Sequence, residues 1–118
     1  MTVLQNERSA SNAEMFPDGF RALGLGKVIG VPTMGAVIGT GSYRLMDGSS
    51  IRTPSIRVST RKGESLENYG VQPDVLVDNT PEDFLADRDR QIEKALEVLR
   101  AELKSAKPMT QDQPGKSE

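Results

Sequence analysis

The chain has 118 residues and a formal net charge of −2, with 15 Lys and Arg residues against 17 Asp and Glu residues. It has no basic excess of the kind that binds nucleic acid or anionic membranes, so we expect neither of these as a partner. It contains neither cysteine nor histidine, which excludes disulfides, thiolate chemistry and the usual structural zinc sites.

The length suits one domain, or one lobe of a larger domain. Hydrophobic residues make up 36 % of the chain and aromatic residues 4 %, which predicts a modest, aliphatic core. Residues 1–5 lack the features of a signal peptide, and no apolar run reaches transmembrane length. For a complete protein this pattern favours the cytoplasm, whereas a segment upstream of Met1 could carry an export signal, so the localisation stays open.

The first third of the sequence predicts a strand, a helix and a second strand. Residues 2–5 favour a short buried strand, and residues 27–31 favour another. Residues 12–23 predict a helix, in which Pro17 lies beyond the first turn and should cause a kink or a division into two pieces. Four apolar side chains fall close to one face of this helix: Met15, Phe16, Phe20 and Leu23.

The middle of the chain predicts short strands joined by tight turns. Asp47-Gly48 separates two β-like runs and is a strong hairpin signal. The glycine-spaced residues 35–41 are typical of a twisted strand to which another backbone segment lies close. Residues 56–60 and 74–77 predict two further brief strands.

The C-terminal third predicts one long amphipathic helix. Thr80 suits an N-cap and Pro81 the first helical position, and acidic residues follow. Apolar residues then recur at helical spacing as far as about Lys104, namely Leu85, Ile92, Leu96, Leu99 and Leu103. We therefore expect residues 1–104 to fold, and residues 105–118 to form a disordered tail because they are almost devoid of apolar side chains.

Ser11 stands at the predicted start of the first helix, where two roles are open to it. Ser11-Asn-Ala-Glu14 is the pattern of a capping box, in which the serine hydroxyl accepts a helical N–H and the glutamate reaches back. The same place suits a nucleophile, because free N–H groups and the helix dipole stabilise an oxyanion there. A nucleophilic serine needs a base, however, and the chain offers no histidine.

Four motifs follow one another along the sequence, at residues 6–16, 24–30, 32–35 and 67–74. Together they resemble the catalytic core of the tail-specific, or C-terminal processing, serine peptidases, and Glu-Asn-Tyr-Gly within the last motif is similar to the tricorn core protease branch. The resemblance covers roughly residues 2–104. It implies an α/β fold, a crotonase-like catalytic lobe with a mixed twisted sheet and helices, incomplete at its N-terminus.

The resemblance also implies roles for three positions. Ser11 corresponds to the nucleophile, the backbone N–H of Asn12 to an oxyanion donor, and Glu67 to the glutamate of the tricorn branch. Processing peptidases with a serine–lysine dyad have a lysine where this chain has Ala36, which excludes a lysine base at that position. The histidine of the tricorn type, its serine partner and a second oxyanion glycine would all lie upstream of Met1.

We therefore expect a serine-type peptidase that acts on peptides or proteins with no metal or organic cofactor. Its base would come from the missing upstream part of the same protein, so the isolated chain should be inactive. Further copies of the chain could assemble with it, as in larger members of the family. The alternative is a non-catalytic assembly module of the same fold, in which the stripe from Leu85 to Leu103 packs against a partner chain or subunit. Glu67 has its own alternative, as a solvated acid before a turn. The aspartates of the last helix are typical of helix-dipole charges rather than a metal cluster: Asp83, Asp87 and Asp89.

Overall fold

Eight secondary-structure elements make up the part of the chain that the structure, a computed structural model, describes, residues 1–105. They are β1 (Thr2–Gln5), α1 (Asn12–Ala22), β2 (Lys27–Gly30), β3 (Gly39–Arg44), β4 (Ser50–Ile56), β5 (Val75–Leu76), α2 (Pro81–Leu85) and α3 (Arg90–Ser105). Ser105, the first residue of the predicted tail, ends α3, and the rest of that tail lies outside the described residues. Within residues 1–105, no helix is both long and apolar enough to cross a membrane.

A parallel three-stranded sheet in the order β1-β2-β5 forms the centre of the fold. Helix α1 connects β1 to its parallel neighbour β2, which makes a βαβ unit. Val28 and Ile29 of the central strand are completely buried, because α1 and α3 both pack on β1 and β2. The α/β class predicted from the sequence is therefore confirmed.

The strands β3 and β4 form a second, antiparallel sheet. The predicted turn at Asp47-Gly48 joins them, and Gly48 adopts a φ of 87°, which glycine tolerates without strain. The separate strand predicted at residues 56–60 is wrong, because β4 itself continues to Ile56. Beyond it an isolated bridge between Ser59 and Ser65 spans the turn at residues 61–62.

Helix α1 is confirmed, but it buries a different face from the one predicted. Phe20 is buried as expected, together with Glu14 and Pro17. Three of the predicted apolar residues are instead exposed: Met15, Phe16 and Leu23. The predicted division into two pieces at Pro17 is wrong, since one helix runs through it. The proline ring is fully buried, and this packing offsets the backbone hydrogen bond that proline cannot make.

The predicted single C-terminal helix is wrong, because the structure has two helices there. Thr80 caps α2 as predicted. Asp87 then adopts a φ of 51°, which a continuous right-handed helix does not allow. Asp89 restarts the helix, since its carboxylate accepts the N–H groups of Gln91 at 2.9 Å and Ile92 at 3.0 Å.

The apolar stripe of the C-terminal region lies mostly on the surface. The buried residues of α3 are Gln91 and Ala95, and the side-chain amide of Gln91 donates to the carbonyl of Val77 at 3.0 Å. Four stripe residues are exposed: Leu85, Ile92, Leu96 and Leu103. Helix α3 packs on β1 and β2 while most of the stripe stays exposed, so the stripe does not form the core that its spacing favours.

Candidate active site

Ser11 lies on the sharp turn between β1 and α1. Its backbone has φ 56° and ψ −117°, a conformation that costs a non-glycine residue about 1–3 kcal/mol. The Ser11 N–H donates to the carbonyl of Ala36 at 3.0 Å and to Glu14 Oε1 at 3.2 Å, while the residue itself is exposed. An exposed serine on a strained strand-to-helix turn is the geometry found in nucleophile elbows.

The capping-box arrangement of Ser11 and Glu14 is present, but only its Glu14 half is a hydrogen bond. The Ser11 hydroxyl makes no cap hydrogen bond, and the Glu14 N–H donates to the Ser11 carbonyl oxygen at 2.8 Å instead. The positive φ replaces the extended backbone of an ordinary N-cap. Within residues 1–105 the hydroxyl of Ser11 therefore makes no hydrogen bond of good geometry, which leaves it available to a base.

Glu14 is completely buried and its carboxylate accepts four hydrogen bonds. The donors are the hydroxyl of Thr33 and the N–H groups of Gly35 at 2.7 Å, Ala36 at 2.8 Å and Ser11 at 3.2 Å. Burial raises the pKa of Glu14, but these four donors together outweigh it and lower the pKa below its ordinary value of 4.5. The carboxylate is therefore ionised at neutral pH. The sequence pattern predicts Glu14 only as part of a helix cap. Nothing in the sequence indicates that this acid is buried or that the loop after β2 donates to it.

Glu67 lies beside the same short segment. Its Oε2 accepts the N–H of Val37 at 2.6 Å, and the neighbouring Asn68 N–H donates to the carbonyl of Gly35 at 2.7 Å. The residue is half-buried, unlike the fully solvated acid of the alternative interpretation. Among the described residues, its Oε1 accepts no hydrogen bond.

Residues 35–37 connect the two predicted catalytic positions. Their three successive N–H groups end on two carboxylates, those of Glu14 and Glu67. The carbonyl of Ala36 in the middle of this segment accepts the Ser11 N–H. The fold therefore brings Ser11 and Glu67, which are far apart in the sequence, to one short stretch of backbone.

Asn12 is the first residue of α1 and is exposed. Its N–H belongs to the first turn, where backbone N–H groups have no acceptor within the helix. Within residues 1–105 the Asn12 N–H donates no hydrogen bond to any acceptor outside the helix either. The group therefore lies next to Ser11 with a free hydrogen and with the positive end of the helix dipole behind it.

The described residues hold no cluster of three acidic side chains that could bind a metal ion. Two aspartates of the C-terminal region stabilise the starts of helices instead. Asp83 accepts a hydrogen bond from the Thr80 hydroxyl and forms an ion pair with Arg90 at 2.8 Å, and Asp89 caps α3. The arrangement around Ser11 thus consists of a free hydroxyl, a free N–H and two oriented carboxylates.

Comparisons with known proteins agree with this geometry. The family model of Peptidase family S41 matches residues 1–77. The tricorn protease of Thermoplasma acidophilum is 40 % identical over 105 residues, which are 87 % of this chain and 10 % of that protein. The crystal structure of the tricorn protease superposes with a TM-score of 0.83 and 39 % identity, over 87 % of this chain and 10 % of that one. The photosystem II D1 C-terminal processing protease gives a TM-score of 0.58 at 30 % identity, over 65 % of this chain and 20 % of that one.

The chain spans about a tenth of the length of the tricorn proteases that it matches. The family match includes both Ser11 and Glu67. These similarities confirm the resemblance carried by the four spaced motifs, including its tricorn-like character. The protein belongs to peptidase family S41.

Proposed function

We propose that this chain supplies the nucleophile of a serine peptidase that cleaves peptide or protein substrates. The observation that carries the proposal is the exposed Ser11, held at φ 56° with its hydroxyl free. Ser11 Oγ attacks the scissile carbonyl while a base takes the hydroxyl proton. The base then protonates the leaving amine, which departs and leaves an acyl-enzyme. In the second half of the reaction the base activates a water molecule, which hydrolyses the acyl-enzyme and releases the serine.

The backbone N–H of Asn12 stabilises the oxyanion that forms during this attack. It is the free N–H group beside the nucleophile, and it lies at the positive end of α1. A donor already aimed at the developing charge needs no reorganisation during the reaction.

Glu67 orients the base. One of its carboxylate oxygens is fixed by the N–H of Val37 at 2.6 Å, and the other is left to accept an imidazole N–H. An acid in this position holds the imidazole in the required tautomer and stabilises its charged form. The half-buried environment of Glu67 strengthens this interaction relative to one in water.

The base itself comes from residues outside these 118. The chain contains no histidine, and Ala36 stands where dyad enzymes of the family have lysine. The exposed apolar residues of α3 offer a packing surface for the segment or subunit that carries the base: Ile92, Leu96 and Leu103. We call this chain together with the histidine-bearing segment the assembled enzyme.

A fluorophosphonate probe, which labels activated serines, tests the proposal in the assembled enzyme. We expect labelling of the wild type and its loss in Ser11→Ala. The control is Ser9→Ala, two residues away, since the Ser9 hydroxyl accepts the Asn6 N–H at 3.2 Å and has no catalytic role. This control should label like the wild type. Labelling that survives in Ser11→Ala would refute the assignment.

The same experiment separates the peptidase from a non-catalytic module. A module would form a stable complex through α3 without any serine labelling. The isolated chain should label slower by orders of magnitude than the assembled enzyme, because removal of the base leaves only oxyanion and binding effects.

A further inference from the structure

We propose that Glu14 is a positioning residue for the nucleophile, and that its buried carboxylate decides whether Ser11 acts as a catalytic serine or as an ordinary helix cap. This inference rests on the proposed function, since it assigns a role in presenting Ser11. Among the described residues, the Glu14 carboxylate makes no hydrogen bond to the Ser11 hydroxyl. It acts through the backbone of Ser11 and through residues 35 and 36.

The first argument is the number and origin of the hydrogen bonds on Glu14. The glutamate of a capping box needs to accept only the N–H of the cap residue. Here three further donors come from the loop that follows β2, namely Thr33, Gly35 and Ala36. An ionised carboxylate has about four acceptor sites, so Glu14 uses its whole capacity to join this loop to the nucleophile turn.

The second argument is the backbone conformation of Ser11. A residue held in a sparsely populated region persists only where its surroundings fix it from several directions. The Ser11 N–H donates both to Glu14 and to Ala36, and Ala36 is itself held by Glu14. Both acceptors of the strained residue therefore depend on the same carboxylate.

The third argument is that a competing state of low energy exists for Ser11. In an ordinary N-cap the backbone is extended and the hydroxyl accepts an N–H of the first turn. Without the Glu14 carboxylate, Ser11 can relax to that state, and its hydroxyl is then occupied. By holding Ser11 at its positive φ from two directions, Glu14 thus favours the conformation in which the hydroxyl makes no cap hydrogen bond.

The chemistry favours glutamate over its neutral isostere at this position. Each carboxylate oxygen accepts two donors: Oε1 takes Ser11 and Ala36, and Oε2 takes Thr33 and Gly35. In glutamine one of these oxygens becomes an NH₂ group, which would face two donors and accept neither. Glu14→Gln therefore removes one pair of hydrogen bonds with almost no change of volume.

The test compares Glu14→Gln with Glu7→Gln in the assembled enzyme. Glu7 lies in the same turn and is exposed, so its substitution controls for loss of a charge. We expect Glu14→Gln to lower both kcat and the fluorophosphonate labelling rate by about 100-fold, as a misplaced nucleophile does, with KM changed by less than about threefold. Glu14→Asp keeps the charge and should recover part of the rate, whereas Glu14→Ala should not.

Three outcomes are decisive. If Glu14→Gln keeps kcat and labelling within about threefold of the wild type, the positioning role is wrong while the proposed function stands. If the wild type itself does not label, the proposed function fails, and this inference fails with it. If Glu14→Gln does not fold, Thr33→Val removes one donor from Glu14 together with the acceptor of the Val71 N–H, and an unchanged kcat in that variant would overturn the positioning role.

Discussion

Replacement of Thr33 by valine should loosen the loop that carries the candidate site. The Thr33 side chain is buried; its hydroxyl donates to Glu14 and accepts the Val71 N–H at 2.7 Å. Valine keeps the shape but leaves the buried Val71 N–H without a partner, which costs about 1–3 kcal/mol. Loss of the hydrogen bond to the charged Glu14 adds about 1.5–3 kcal/mol, so the change should cost roughly 2.5–6 kcal/mol in total.

Native-state hydrogen exchange measures this cost where it arises, because it reports the free energy of local opening without two-state unfolding of the whole protein. We expect faster exchange at Val71, Gly35 and Ala36 in Thr33→Val. The matched control is Thr53→Val on the exposed hairpin, which should change stability by no more than about 0.5 kcal/mol. If Thr33→Val exchanged no faster than this control, the hydrogen-bond network described around Glu14 would be wrong.

Three further changes have definite expected results. The lowered pKa of Glu14 stabilises the fold above about pH 4.5, and this contribution is lost as the pH falls through the folded-state pKa, so acid denaturation should be shallower in Glu14→Gln. Gly70→Ala should lower the melting temperature far more than Gly24→Ala. Both residues have φ near 65°, so the backbone strain is the same, but only at Gly70 would the new Cβ lie 2.5 Å from a backbone atom, the Thr33 carbonyl oxygen. Equal melting temperatures would contradict this. Asp89→Ala should cost about 0.5–2 kcal/mol of helix stability by circular dichroism, while Asp89→Asn, an equally good N-cap, should cost little.

Local signals in the sequence were sufficient for several elements. The Asp47-Gly48 turn and the Thr80 cap are both confirmed, because each depends on the conformations of a few adjacent residues. The continuous C-terminal helix was wrong for the opposite reason. The positive φ of Asp87 interrupts the helix, but the apolar residues keep their helical spacing across it. A prediction from spacing alone therefore misses the interruption.

The candidate site shows the same division. The family motifs predict roles for Ser11 and Glu67, and these roles stay predictions, whereas the spacing from Ser11 to Glu14 alone predicts an ordinary capping box. The difference arises from Thr33 and Ala36, which lie 19 and 22 residues after Glu14 and contact it only in the tertiary fold. A contact made by the tertiary fold outweighed the local preference of Ser11.

Mass-spectrometric localisation of a fluorophosphonate adduct tests most directly whether Ser11 is activated by a base from outside these 118 residues. Trypsin should release residues 9–21, which contain both Ser9 and Ser11, and fragmentation distinguishes the two. We expect the adduct on Ser11 in the assembled enzyme and almost none in the isolated chain, which has no imidazole. An adduct on Ser9, or equally fast modification of Ser11 in the isolated chain, would contradict this account.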